Sequence, residues 1–364
     1  MQSSSRKLLV VLIGLLVLGF VIYRSSGMIH HSDFSGTEML QAVRSANPYY
    51  LILSLVAIYA CYALRALRWK VFQENLGPSS FWNIYKMTLA GFSALQLLGR
   101  PGEPVRPFLL ARKEKLQVSG MFGVYLLERI FDFASMAVIA TVALLGFRTD
   151  AQSSETARAL EKTAKPASLF LVLGILTATA LLVYLRFRGT ALLERQLQGW
   201  LQAHGWRSKI AGIVLETARG VQTIRSGRDL ALALFYSAAH WFLVLVIYLW
   251  VAKSFGGTLG NLSLFDAMLV LAVTLVSSIL QLPGVGGGSQ AGSFGAYTKI
   301  FLIKSEAALA ASIVIWLITF AAVSLAGVPL LIHEGLSLGK LKEMAELEKE
   351  AAIEGAAQQG GSAK

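Results

Sequence analysis

Charge is what this sequence has least of. Only 15% of its 364 residues are Asp, Glu, Lys or Arg, against roughly 25% in a soluble domain. Cysteine is nearly absent. The single Cys61 lies in an apolar run, which excludes a disulfide framework and a cysteine metal site. Catalytic signatures are missing as well: there is no H-E-x-x-H, no Asp-x-Asp nucleotide-sugar pattern, no Walker A and no G-x-S-x-G. His30, His31, His204, His240 and His333 are scattered. No polar stretch exceeds about 45 residues, short of the ~50 of a small domain. These absences predict neither an autonomous enzyme nor a bound cofactor or metal.

Apolar sequence fills the space. The chain is 55% hydrophobic with a mean hydropathy of +0.59. A helix needs about 20 apolar residues to cross a bilayer. Six windows meet that length or approach it: Lys7–Tyr23, Pro48–Leu67, Gly120–Phe147, Ala167–Leu185, Leu230–Ala252 and Ala307–Ile332. The first has the charged front of a signal peptide, but "YRSSGMIHH" after it offers no A-x-A cleavage site, so an uncleaved anchor is expected.

The net charge of +12 needs no nucleic acid to explain it, because cationic loops gather on the cytoplasmic side and meet anionic inner-leaflet lipid there. With the N-terminus inside and the six windows crossing in turn, 23 Lys and Arg fall inside and 9 outside, while Arg129 lies within a span. That asymmetry predicts a multi-pass membrane protein with both termini cytoplasmic.

Two further apolar segments break off at Pro-Gly. "FWNIYKMTLAGFSALQLLG" (81–99) runs into "RPGEPVRP", and "SLFDAMLVLAVTLVSSILQL" (263–282) runs into "PGVGGG". The two Pro-Gly pairs are 182 residues apart, and the same offset carries 48–67 onto 230–249 and 120–147 onto 302–329. The leg after the first break, 104–115, is ~18 Å long as a helix, too short for a ~30 Å core. Three spans separate the starts of the two segments, so the second copy would be inverted.

The expectation is an all-α polytopic membrane protein of about six spanning helices plus two re-entrant hairpins in inverted-repeat arrangement. One integral membrane domain would cover 1–335, with repeats at about 48–147 and 230–332. Residues 190–228 read as a basic amphipathic segment on the inner leaflet, or less simply as a docking face. Residues 336–364 read as a charged, partly disordered tail.

Non-helical backbone at membrane depth lines a cavity or is buried in protein. The amides opening each short second leg carry partial positive charge suited to phosphate. Arg100 and Arg106 would add full charges in bidentate geometry, with Gly102 in the turn and Glu103 holding the arginines apart or carrying a proton. Across from them, Gly284, Gly286, Gly287 and Gly288 permit close backbone approach and an anion nest. Ser289 would cap the following leg, beside Gln290. Mid-span, "LLERIFDFASM" places Glu128 and Asp132 on one helix face and Arg129 in pairing reach of Asp132. Ionisable groups at that depth point to coupling or gating. "RALRWK" (65–70) reads as a cytoplasmic stop and lipid anchor, with Trp69 at headgroup level.

Taken together, "RALRWK", "GRPGEPVRP", "ERIFD" and "LPGVGGG" resemble the lysylphosphatidylglycerol synthase transmembrane-region family, also called flippase-like or UPF0104 proteins, over roughly 7–335. Members tend to carry Pro-Gly-Gly-x-Gly-x-x-Glu at the last motif. This chain has "PGVGGGSQAG", with Gln290 near where the acid would fall. The resemblance implies translocation of a membrane lipid or lipid-linked substrate, together with a possible partner enzyme of a lipid pathway. The family's attached transferase half has no counterpart in this sequence. Relatives tied to hopanoid or polyprenyl-linked glycan pathways leave the headgroup open. A membrane-embedded lipid transferase or glycosyltransferase using Glu128 and Asp132, and a non-transporting assembly factor, are the competing readings.

Overall fold

In the computed structural model, residues 35–99, 102–149, 153–188, 191–202, 226–279, 281–282 and 286–335 are described. The expected anchor Lys7–Tyr23, much of the 190–228 segment and the tail beyond 335 lie outside them.

The first half runs α1 (Gly36–Ser45), α2 (Pro48–Gln73), α3 (Phe81–Leu98), α4 (Val105–Glu114) and α5 (Val118–Gly146). Then come the long α6 (Glu155–Arg188) and α7 (Ala191–Leu201). The second half runs α8 (Gly227–Phe255), a single turn α9 (Gly257–Gly260), α10 (Leu264–Ser277), α11 (Gly288–Gly295), α12 (Ser305–Trp316) and α13 (Ala322–His333). A π-helical turn, Ala296–Ile300, follows α11, and another, Leu317–Ala321, joins α12 to α13.

Local chemistry sets the boundaries. The Asn47 side chain accepts from the Tyr49 amide and Pro48 takes the first helical position of α2, where its missing N–H costs nothing. Capping boxes start α8 (Ser226/Asp229) and α10 (Ser263/Asp266). α3 ends on Gly99 at φ +71°, a conformation that glycine adopts without strain. The second broken segment stops earlier than its hydropathy predicts. Its helix closes at Ser277, and the chain then forms a two-residue antiparallel ladder pairing Gln281 with Gly287 and Leu282 with Gly286.

Among the described residues, four helical stretches are long and apolar enough to cross a membrane: Pro48–Gln73, Gly120–Gly146, Gly227–Phe255 and Ser305–His333. α5, at 29 residues, is about 43 Å long. The window Ala167–Leu185 falls inside the 34-residue α6. α2 packs along α8, α3 along α13, and α10 along α5, while each broken helix packs on its own short second leg. α2 buries Ser54, Ala57, Cys61 and Ala66, and α8 buries Ala233, Ser237 and Ala252. Small residues suit helices in lipid, where close van der Waals approach rather than water exclusion drives association.

Candidate functional site

The site grows from three helices that meet around one carboxylate. Glu128, fully buried on α5, receives three arginines. Arg65 Nε donates to its Oε1 at 3.2 Å and Arg68 Nη2 at 3.0 Å, both from α2. From α4, Arg106 Nη1 donates to Oε2 at 2.9 Å. One turn further along α5, Asp132 accepts from Arg68 Nη2 at 2.8 Å and from Arg65 Nη2. Arg68 Nη1 reaches Ser237 of α8 at 2.9 Å. Arg68 is 1% exposed and Arg106 is 3% exposed.

Three guanidinium groups therefore face two carboxylates, a formal excess of one positive charge. Removing charges from water is expensive unless they are paired and hydrogen-bonded, and here most are. Aromatic faces complete the cage. The Arg106 guanidinium lies 3.9 Å from the Trp69 ring centroid and 5.3 Å from that of Phe92, and Arg65 lies 4.6 Å from Phe92.

α4 can come this close because α3 carries glycine opposite it. A Cβ on Gly91 would lie 2.3 Å from Arg106 Cβ and 2.9 Å from its Cα. The same crossing leaves a shallow cleft of about 10 Å³, room for about one water, lined by Gly91, Phe92, Leu95, Glu103, Arg106, Tyr125 and Arg129. At the cleft, Glu103 accepts from the Tyr125 hydroxyl and lies 4.0 Å from Arg129, whose guanidinium sits over the Tyr125 ring. Arg106 Nε and Nη2 and Arg129 Nε have no hydrogen-bond partner. A cleft lined by two arginines with unused donors is chemically fit for a phosphate or another oxyanion.

Several sequence expectations change here. Arg65, Arg68 and Trp69 are not a headgroup-level anchor. They are buried, and the two arginines hold Glu128 and Asp132. Asp132 pairs with α2 rather than with Arg129, and Arg129 turns instead toward Glu103. Glu103 meets Tyr125 and Arg129; its expected place between Arg100 and Arg106 involves Arg100, which lies outside the described residues. The missed signal was a complementarity of spacing. Two arginines at i,i+3 on one helix match two carboxylates at i,i+4 on another.

Gly102 sits in the α3–α4 turn, its amide donating to Gly99 O at 2.9 Å. Arg100 and Gly284 lie outside the described residues. Gly286 and Gly287 form the ladder, and Gly288 opens α11. Gly287, not Ser289, takes the N-cap position of α11. The Ser289 hydroxyl donates instead to Gln290 Oε1 at 3.0 Å. None of Gly286, Gly287, Gly288, Ser289 and Gln290 lines the arginine cleft. Among the described residues, no group of His, Cys, Asp and Glu is arranged to hold a metal ion.

Comparison with known proteins agrees with this membrane architecture. A "UPF0104 membrane protein" of Methanothermobacter thermautotrophicus is 24% identical over 113 residues, which is 30% of this chain and 33% of that relative. The match thus spans about a third of the relative's length. No solved structure matches the chain. The family model for the lysylphosphatidylglycerol synthase TM region matches residues 8–327. With nearly its whole length covered, the chain belongs to the lysylphosphatidylglycerol synthase transmembrane-region family of membrane proteins.

Proposed function

We propose that this protein moves an anionic lipid or lipid-linked substrate between membrane leaflets, holding the headgroup phosphate at the Arg106–Arg129 cleft. The observation that carries the reading is the pair of cleft-lining arginines with unused donors beside a cluster bearing one excess positive charge. Acyl chains would stay in lipid while the headgroup enters the protein, so a cleft without a deep cavity suffices.

The motion follows from an inverted repeat of about 48–147 and 230–332. Reciprocal packing supports the repeat: the broken helix of each half lies against the last long helix of the other, and α2 lies against its counterpart α8. In such architectures one repeat rocks against the other around a site near the midplane. The second-half turn, Gly284 to Gln290, is the proposed counterpart that closes from the opposite side. Both termini are placed in the cytoplasm of a bacterial inner membrane, with a single domain spanning 1–335 and the basic 190–228 segment lying on anionic inner-leaflet lipid. Any partner enzyme of the lipid pathway would approach from that side.

A transferase reading asks for carboxylates free to act on a donor. Glu128 and Asp132 are instead each engaged by arginines, so translocation is the better fit and no enzymatic step is assigned.

The test is leaflet exchange in proteoliposomes, reading fluorescent phosphatidylglycerol against a fluorescent diacylglycerol that lacks phosphate. Faster exchange of the phospholipid alone, lowered about tenfold by Arg129→Gln as one charge-assisted contact is lost, supports the proposal. Equal acceleration of both lipids, or of neither, contradicts it.

A further inference from the structure

Beside the arginine cluster lies a buried imidazole with no assigned task. His240, on α8, is 3% exposed, and its Nδ1 has no hydrogen-bond partner. Its ring meets Trp241 edge-on, with centroids 5.1 Å apart, and its carbonyl accepts from Cys61 Sγ of α2 at 3.7 Å. One helical turn earlier, Ser237 accepts from Arg68, so His240 shares a helix face with a direct contact of the cluster. Arg65, Arg68, Arg106 and Glu128 all bear on it electrostatically.

We propose that His240 is a proton-binding site coupled to the anion cleft, so that headgroup and proton load together. The inference rests on the cleft binding an anion, as proposed above, and adds an energy source to it.

Charge balance links the two sites. The cluster already carries one excess positive charge, and a proton on His240 raises that to two in surroundings that screen poorly. An anionic headgroup at Arg106 and Arg129 offsets one of them, so protonation becomes easier when the cleft is filled. Linkage then requires the reverse: a protonated His240 must tighten the headgroup by the same factor. Of the side chains here, imidazole is the one whose unperturbed charge change lies between pH 5 and 8.

The groups around it suit it less. Arg65, Arg68 and Arg106 do not give up protons in proteins. Protonating Glu128 or Asp132 would break arginine pairs. Cys61 and Tyr62 of α2 would gain negative charge, not positive, on titrating. On the other helices packed against α8, Asp266 is held in its capping box and Glu306 accepts from the Ser35 amide. α1 contributes Glu38 and Arg44 in its first and last turns. An uncoupled neutral core histidine is the outcome against which the proposal is set.

Two readouts on the full chain decide it. The first is the pH profile of phosphatidylglycerol exchange between pH 5.5 and 8, in liposomes of that lipid with phosphatidylcholine. Wild type is expected to accelerate by about fivefold or more toward pH 5.5, a modest coupling factor. His240→Gln is expected to exchange at the slower rate with a flat profile. Glu103→Gln should keep the wild-type slope. A flat wild-type profile, an unchanged slope in His240→Gln, or a slope lost only in Glu103→Gln overturns the proposal.

The second readout does not need translocation. It is proton uptake from weakly buffered detergent at pH 7 when phosphatidylglycerol is added to purified protein. Uptake by wild type and none by His240→Gln supports coupling even where leaflet exchange fails. Binding without uptake overturns it while leaving the anion site standing, and absence of binding overturns both. Gel-filtration behaviour and melting of His240→Gln guard against misfolding. If that variant does not fold, His240→Asn takes its place in both readouts.

Discussion

After α3 the chain turns through Gly102 into a short helix that sets Arg106 against Glu128, with Arg65, Arg68 and Asp132 closing around them. After α10 it turns through a glycine ladder into another short helix, Gly288–Gly295, that carries hydroxyl and amide groups but no charge. The residues 182 positions beyond Arg65, Arg68, Arg106, Glu128 and Asp132 are Ile247, Trp250, Gly288, Ala310 and Val314. Ile247, Ala310 and Val314 are buried hydrophobics. Under the proposed repeat, corresponding positions are thus filled with opposite chemistry. A charged cluster in both halves would offer two anion sites and double the desolvation cost. Confining it to one half leaves Ile247, Ala310 and Val314 of the other half apolar and buried.

That contrast can be broken most severely at Glu128. Glu128→Ala leaves three buried arginines short of a partner and should cost about 3–5 kcal/mol, the range for breaking a buried pair. Thermal or denaturant unfolding in detergent would report it, whereas Val314→Ala in the second half should cost about 2 kcal/mol for the loss of two methyl groups.

The next effect lies at the glycines that let each broken helix meet its short leg. Gly91→Ala places a Cβ against Arg106 backbone and side chain, and overpacking of this kind costs about 1–3 kcal/mol. Gly292→Ala meets the Ser277 side chain at 2.6 Å and Thr274 Cα at 3.2 Å. A seryl side chain yields more readily than backbone, so the second variant should melt above the first. A lower melting point for Gly292→Ala would reverse the assignment of the tighter crossing.

Phe92→Leu removes the ring shared by Arg65 and Arg106. Its stability loss should be about 1 kcal/mol, and headgroup affinity should fall as the guanidinium loses its platform. The smallest change is expected at Lys113, paired with Glu334 at 2.6 Å near the surface. Lys113→Ala should cost under about 1 kcal/mol, within a degree or two of the wild-type melting point.

Hydropathy marked four of the long helical stretches because each carries a long apolar run, and Pro-Gly marked the first break, after Leu98. Glu128, Arg129 and Asp132 stood out for a simple reason: charge inside an apolar run is costly wherever it occurs. Their partners were harder to read. Arg65 and Arg68 sit near the end of an apolar run, where cations ordinarily meet headgroups. Only the crossing of α2 and α5, set by packing 60 or more residues apart in sequence, turns them inward. Ser289 misled for the opposite reason. A serine before a helix ordinarily caps it, but the ladder through Gly286 and Gly287 starts α11 two residues sooner and leaves its hydroxyl to Gln290. The chain's early stop at Ser277 was hidden by apolar residues that continue into the ladder.

The most direct measurement is phosphatidylglycerol exchange by Arg106→Lys in proteoliposomes. Lysine keeps the charge that Glu128 needs, so the protein should fold, yet it cannot offer the guanidinium donors now unused beside the cleft. The account predicts a folded protein whose exchange falls about tenfold, the loss of roughly one such contact. Wild-type exchange by folded Arg106→Lys would contradict it.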